Sequence, residues 1–170
     1  MAKGGVVLFF TEMESPVGKL LLLSDGCCLT GLYMEKQPLP QWRRQDDLAV
    51  FLSARKWLEC YFSGQPEPAE DIPLKLEGTA FQQQVWQVLL TVPRGQTRTY
   101  AELARQLAAR MGKEKMSAQA VGQALGRNPV SILVPCHRIV GTDGSLTGYA
   151  GGLEKKQWLL HHEGWKGAKE

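Results

Sequence analysis

The sequence has no C-x-x-C pair and no histidine before residue 137, and none of its apolar runs approaches the roughly 18–20 residues of a membrane span. It has 4 cysteines in 170 residues, two of them adjacent (Cys27 and Cys28), which argues against a disulfide scaffold. The early cysteines have no histidine near them, so no metal-ligand spacing can be drawn, and neither metal nor cofactor is expected. Cys27, Cys28 and Cys60 read as small buried hydrophobes. The opening MAKGGVVLFF carries one lysine and a short apolar run, too short for a secretory leader. The expectation is a cytoplasmic protein, nuclear in a eukaryote, with no membrane contact.

Charge of one sign is also missing overall, since the net charge is only +3. The balance is uneven along the chain, however. Residues 1–77 hold 8 Lys and Arg against 11 Asp and Glu, net −3, and residues 78–170 hold 12 against 6, net +6. A basic second half fits a polyanion partner, and it fits an ordinary solvated surface equally well.

What is present divides the chain. In SPVGKLLLLSDGCCLTGLYM (15–34), Asp25-Gly26 between two apolar runs predicts a hairpin. DLAVFLSARKWLECYFSG (47–64) places Leu48, Phe51, Leu52, Leu58 and Phe62 at helical spacing, with Gly64 to end the helix. QPEPAEDIPLKLEG (65–78) is rich in Pro and Glu without helical period and reads as a linker. Two domains are expected, 1–77 and 78–170, with the linker at about 65–77.

The second half reads as mostly helical. Thr79 can cap FQQQVWQVLLTV, with Phe81, Val85, Val88 and Leu89 on one face. Thr99 can cap YAELARQLAARM, with Leu103 and Leu107 inward, and Gly112 breaks it. Ser117 can cap AQAVGQALG (118–126), which Asn128-Pro129 stops. Two short helices joined by a turn have the form of a helix-turn-helix. The second is almost bare of side chains, and its Gly122 and Gly126 each cost about 1 kcal/mol against Ala. Close backbone approach would justify that cost, either to another helix or to nucleic acid. VSILV (130–134) reads as a short buried strand running into PCHR, and the chain closes on the helix LEKKQWLLHHEG.

Cys136 is the candidate nucleophile. A thiol at its reference value is only about 3% ionised at pH 7, so full ionisation gains at most about thirtyfold. His137 could take the proton directly or through a water, and it then needs an acidic orienter. Glu163, at the negative end of the last helix, is the candidate, because its position invites a compensating partner.

PCHR with its preceding NPVSILV, the downstream GYAGG and WLLHHEG, and the upstream TAFQQQVWQVLLTVPRGQTRTYAELA resemble the O6-alkylguanine-DNA alkyltransferases, also called methylated-DNA–protein-cysteine methyltransferases. The resemblance is strong over about 79–165 and looser over 15–64. It implies an α+β or α/β, two-domain protein: a small mixed sheet with a helix (an α/β domain, ribonuclease H-like), then a mostly helical domain with the helix-turn-helix. It implies direct-reversal DNA repair, with the alkyl group of O6-methylguanine (O4-methylthymine being a second candidate substrate) passing irreversibly to Cys136, one event per molecule. Its partner would be double-stranded DNA, entered from the minor groove with the target base flipped out, and the protein would act as a monomer.

The same resemblance assigns roles. His137 and Glu163 would form the proton relay, Asn128 would hold the turn that presents Cys136, and Tyr100 would contact the base and donate a proton as it leaves. Backbone groups of Cys136, Ile139 and Ala150 would read the base edge, with Tyr149 and Gly151 beside them. Ala118, Gln119, Gly122, Arg127 and Arg138 complete the DNA-contacting set. The chain departs from the family in carrying Gln119 where an arginine usually fills the gap left by the flipped base. Its connection MGKEKMS is also longer than is usual. The alternative from another class is a non-catalytic alkyltransferase-like binder of DNA lesions, but retention of Cys136 weighs against it. A thiol hydrolase and a helix-turn-helix transcription factor have no separate support.

Overall fold

The computed structural model describes residues 7–68, 71–149 and 151–167, which divide into two compact units between Glu77 and Gly78. In the first unit, strands β1 (Phe9–Met13), β2 (Leu20–Ser24), β3 (Leu29–Tyr33) and the two-residue β4 (Arg43–Arg44) form one sheet in the order β3-β2-β1-β4. β4 runs parallel to β1 and the other pairs are antiparallel, so the sheet is mixed. All five residues of β2 are buried, as its unbroken leucine run requires of a strand covered on both faces. The hairpin joining β2 to β3 turns at Asp25-Gly26. Asp25 Oδ1 accepts from the Cys27 and Cys28 amides at 2.9 Å each, and Gly26 takes φ +103°, which suits a residue without Cβ.

Helix α1 (Ala49–Ser63) packs on β2 and β3 and ends on Gly64 in the left-handed conformation. Its inward stripe differs from the one the spacing predicts. Val50, Phe51, Ala54, Leu58 and Tyr61 are buried, and Leu52 is 54% exposed. One residue along a helix is a rotation of about 100°, enough to carry Leu52 off the face that Phe51 occupies. Cys27 is exposed and Cys28 and Cys60 are half-buried, so none of the three is the buried hydrophobe expected. The Pro-rich stretch is partly tied down as well. Leu29 N–H donates to Pro73 O at 2.8 Å and Lys75 N–H to Leu29 O at 3.0 Å, setting Leu74 beside the start of β3.

The second unit holds α2 (Ala80–Leu89), β5 (Arg98–Thr99), α3 (Tyr100–Arg110), α4 (Ala118–Gly126), β6 (Ile139–Val140) and α5 (Leu153–His162). Thr79 and Thr99 each form a full capping box, with Gln82 and Glu102, and Ser117 Oγ accepts from Ala120 N–H. Each such cap is worth about 1 kcal/mol. Helices α2, α3 and α4 pack together through Val85, Trp86, Leu89, Leu103, Leu107 and Val121, all fully buried. Trp86 Nε1 donates to Ala124 O at 2.9 Å and so pins α4 to α2. After α3, Gly112 at φ +68° turns the chain, and Lys113 N–H bonds back to Ala108 O at 2.8 Å. Parallel pairing of β5 with β6 sets Thr99 opposite Val140. This short ladder brings the first turn of α3, and Tyr100 with it, to the segment that carries Cys136.

Candidate active site

The run VSILV holds one bridge residue, Val130, and then turns, where its apolar composition predicts a strand. Asn128 closes the turn with its side chain. Its Oδ1 accepts from Val130 N–H at 2.9 Å, and its Nδ2 donates to Val134 O at 2.8 Å. Between them Ile132 adopts φ +73°, a conformation that costs a β-branched residue about 1–3 kcal/mol and persists only where its surroundings enforce it. The chain leaves this turn through Pro135 into a 3-10 turn, Cys136–Arg138. Asn128 Nδ2 also lies 3.2 Å from Cys136 Sγ, so one side chain shapes the turn and donates to the sulfur.

Cys136 is only 8% exposed. Burial pushes its thiol up, and the Asn128 hydrogen bond and the charge of Lys156 pull the other way. His137 is fully buried beside it, with Nε2 2.7 Å from Glu163 Oε2. Its Nδ1 has no hydrogen-bond partner among the described residues. Burial pulls His137 down, against the pull of Glu163, so the ring rests neutral.

Glu163, one residue beyond α5, is buried, and Arg138 grips it at both oxygens: Nε donates to Oε1 at 2.8 Å and Nη2 to Oε2 at 3.0 Å. Burial alone would raise the Glu163 carboxyl. The bonds from His137 and Arg138 overcome it and hold the group well below the usual carboxylate range. Arg138 Nη1 donates to Val92 O at 2.7 Å, which uses the last face of the guanidinium inside the unit. The residue expected to reach DNA is therefore turned inward, because a buried Glu163 needs a charge partner that neutral His137 cannot be.

Opposite this cluster, Tyr100 Oη donates to Thr147 O at 3.0 Å, and Thr147 Oγ1 donates to Tyr100 Oη at 3.2 Å. Lys156 Nζ donates to the same Thr147 carbonyl at 2.9 Å and lies 5.9 Å from the centre of the Tyr100 ring. Tyr149 and Gly151 are half-buried in the loop that follows, and Gly152 N–H closes that loop onto Tyr149 O at 2.9 Å. Ala150 lies outside the described residues. Ile139 is buried, and its N–H donates back to Cys136 O.

The structure thus brings together two bonded pairs, Asn128 with Cys136 and His137 with Glu163, joined only by the adjacency of Cys136 and His137 in the chain, with Tyr100 held nearby through the β5–β6 ladder. Lys156 was missed, since a lysine in LEKKQWLLHHEG reads as solvated. The signal was available: positions 156, 159, 160 and 163 share one helical face, so an inward Glu163 implies an inward Lys156.

Helix α4 presents a different kind of surface. Its buried face is Val121, Ala124 and Leu125; Ala118 and Gln119 are exposed, Gly122 is half-buried, and Arg127 beyond the helix is exposed. A Cβ added at Gly122 or Gly126 would meet nothing within 4 Å. Among the described residues nothing packs where those Cβ atoms would stand, so close packing on a neighbouring helix does not account for the missing side chains.

Among the described residues no group of 3 or more His, Cys, Asp or Glu could hold a metal ion, and no helix is long and apolar enough to cross a membrane. Residues 8–76 match the model of the 6-O-methylguanine DNA methyltransferase ribonuclease-like domain, and residues 80–165 match that of the DNA binding domain. A methylated-DNA–protein-cysteine methyltransferase of Haemophilus influenzae is 48% identical over 159 residues, covering 92% of this chain and 86% of that one. The Mycobacterium tuberculosis protein of the same name is 42% identical over 92% of this chain and 93% of its own. A crystal structure of Mycobacterium tuberculosis OGT in complex with DNA superposes with TM-score 0.80 at 43% identity, over 91% of this chain and 92% of that one. With both halves matched in order and relatives this similar along most of its length, the chain belongs to the 6-O-methylguanine DNA methyltransferase family.

Proposed function

We propose that this protein repairs DNA by direct reversal, moving the methyl group from O6 of a guanine in duplex DNA onto Cys136. The observation that carries the reading is the pair of contacts that meet at Cys136–His137, Asn128 on the sulfur and Glu163 on the imidazole. A buried sulfur accepts a hydrogen bond from Asn128, and the adjacent histidine has one ring nitrogen on an ionised glutamate and the other without a protein partner.

The steps follow from these positions. The Cys136 proton passes to His137 through a bridging water, and Glu163 stabilises the imidazolium that forms. The sulfur attacks the methyl carbon, a C–S bond forms, and the carbon–O6 bond breaks. The guanine leaves with a proton from Tyr100. The product is a thioether that no residue of the site can cleave, so each molecule acts once. The substrate must be out of the base stack, which costs a few kcal/mol. Helix α4 enters the minor groove, where Gly122 and the small residues around it let the backbone approach the strands, and Gln119 occupies the gap left by the base. Exposed Arg127 and the basic balance of the second half supply phosphate contacts. The protein acts as a monomer in the compartment that holds the DNA, with no membrane partner.

Incubation with duplex DNA carrying O6-methylguanine, followed by intact and peptide mass measurement, tests this. One added methyl on the Cys136 peptide, stoichiometric and absent in Cys136→Ser, is the expected result. Repeated turnover, or lesion binding without transfer, would overturn it.

A further inference from the structure

Tyr100 Oη meets Thr147 twice, at the backbone carbonyl (3.0 Å) and at the side-chain hydroxyl (3.2 Å). The protons available fix the direction of both bonds. A carbonyl only accepts, so the single phenolic proton points at Thr147 O. The second bond must then run from Thr147 Oγ1 to a lone pair of Tyr100 Oη. The contact joins the first residue of α3 to the loop that leads into α5. Thr147 is exposed, so the contact lies on the open face of the site and not in the core.

In this arrangement the proton that the leaving base needs is held on a backbone carbonyl, and Tyr100 has to redirect it. The carbonyl keeps a second donor, Lys156 Nζ at 2.9 Å, so losing the phenol leaves no unpaired acceptor. The Thr147 hydroxyl has no such change to make, because it already donates to the phenolic oxygen. As the proton passes to the base, that oxygen gains negative charge, and a hydrogen bond to a charged oxygen is roughly twice as strong as one to a neutral oxygen. The bond from Thr147 Oγ1 therefore strengthens as the reaction proceeds, which is the condition for speeding a step and not merely tightening binding.

We propose that Thr147 is a positioning residue for the transfer: its carbonyl holds the Tyr100 proton in the free protein, and its hydroxyl steadies the phenolic oxygen as that proton passes to the leaving base. The electron pair of the broken carbon–O6 bond goes to the base, and a ring nitrogen of the base takes the Tyr100 proton. The phenolate recovers a proton from solvent, while the proton of Cys136 leaves through His137. The inference rests on the reading that Tyr100 protonates the departing guanine.

Single-turnover methyl transfer from duplex DNA carrying O6-methylguanine, followed against DNA concentration, separates rate from affinity. Thr147→Val removes the hydroxyl and keeps the carbonyl and the branched shape, and Thr147→Ser keeps the hydroxyl. The saturating rate should fall about tenfold in the valine variant, with half-saturation little changed, and the serine variant should stay near wild type. In a Tyr100→Phe background the valine substitution should cost nothing more, because both changes act through the same oxygen. Iodoacetamide labelling of Cys136 expels iodide, which needs no proton, so it should run at the wild-type rate in Thr147→Val. An unchanged saturating rate, a valine effect that persists undiminished beside Tyr100→Phe, or an equal loss toward iodoacetamide would each overturn the proposal. If Thr147→Val does not fold, by near-ultraviolet circular dichroism, Thr147→Ala removes the same hydroxyl and takes its place. Wild-type transfer matched by Thr147→Val would sink this inference alone. No transfer by the wild type would sink the repair reading and this inference with it.

Discussion

The buried cluster around Glu163 and the outer face of α4 belong to the same unit, yet they are built on opposite principles. Around Glu163 the acceptors are heavily committed: Arg138 bonds both carboxylate oxygens and Val92 O, and His137 takes the remaining approach. On α4 the outward positions hold small side chains or none, and Gly122 has open space where a Cβ would go. The first region spends stability on ionised groups out of water and recovers it only through complete pairing. The second gives up helix propensity and recovers nothing within the chain. Substitutions should therefore fail in different ways, by unfolding at the cluster and by loss of DNA at the helix.

The largest effect is expected from Glu163→Gln. It leaves the Arg138 guanidinium buried without its counter-charge, a situation that costs about 3–5 kcal/mol. Urea unfolding should show that loss, and the double variant Glu163→Met with Arg138→Met should regain much of it. The acid dependence of stability goes the same way. Glu163 is held below its usual range, so the unfolded state binds the proton more readily, and stability falls as pH drops below about 4.3. His137 is also lowered, which adds a slope of the same sign beginning near 6.5. Unfolding measured from pH 7 to 2 should show both components, with the lower one absent in Glu163→Gln. A flat profile would mean that the cluster is not charged as described.

Asn128→Ala comes next. It removes two donated bonds and one accepted bond, in a turn where Ile132 already sits at φ +73°. A loss of about 1–3 kcal/mol follows from the buried amide and carbonyl left unpaired. Unlike a change on α4, it should also slow iodoacetamide labelling of Cys136, because the sulfur loses a donor.

These two regions were also unequally legible in the sequence. Caps at Thr79, Thr99 and Ser117, the Asp25-Gly26 hairpin and the end of α1 at Gly64 are local signals, and the backbone obeys them. The bare composition of α4 could be read from its letters alone, though only the open space at Gly122 separates approach from outside the chain from packing within it. VSILV misled because its apolar letters carry no sign of Asn128, whose side chain bonds Val130 N–H and Val134 O and closes the run into a turn. Arg138 and Lys156 misled for a related reason. A cation is taken as solvated until a buried partner or field is known, and both depend on residues distant in the chain: Glu163 for one, Thr147 and Cys136 for the other.

On α4 the expected effects are smaller and of mixed sign. Gly122→Ala should stabilise the free protein by about 0.5–1 kcal/mol, since the added methyl meets nothing and the helix gains propensity. The same methyl should weaken duplex binding, as read by fluorescence anisotropy. Stabilisation without a loss of DNA affinity would remove the reason given for the glycine.

The smallest effect is expected from Gln119→Arg. Gln119 is exposed on the first turn of α4 and can insert and hydrogen bond, but it brings no charge to the phosphates. An arginine there adds one cation to the interface, so the slope of log affinity against log salt should steepen by about 1. The gain in affinity should then be visible at low salt and fade as salt rises. A matching rise in methyl transfer rate would mean that holding the base out of the stack limits the natural sequence. Tighter binding without faster transfer would place the limit at the buried cluster, where Cys136 must lose its proton against the cost of its own burial.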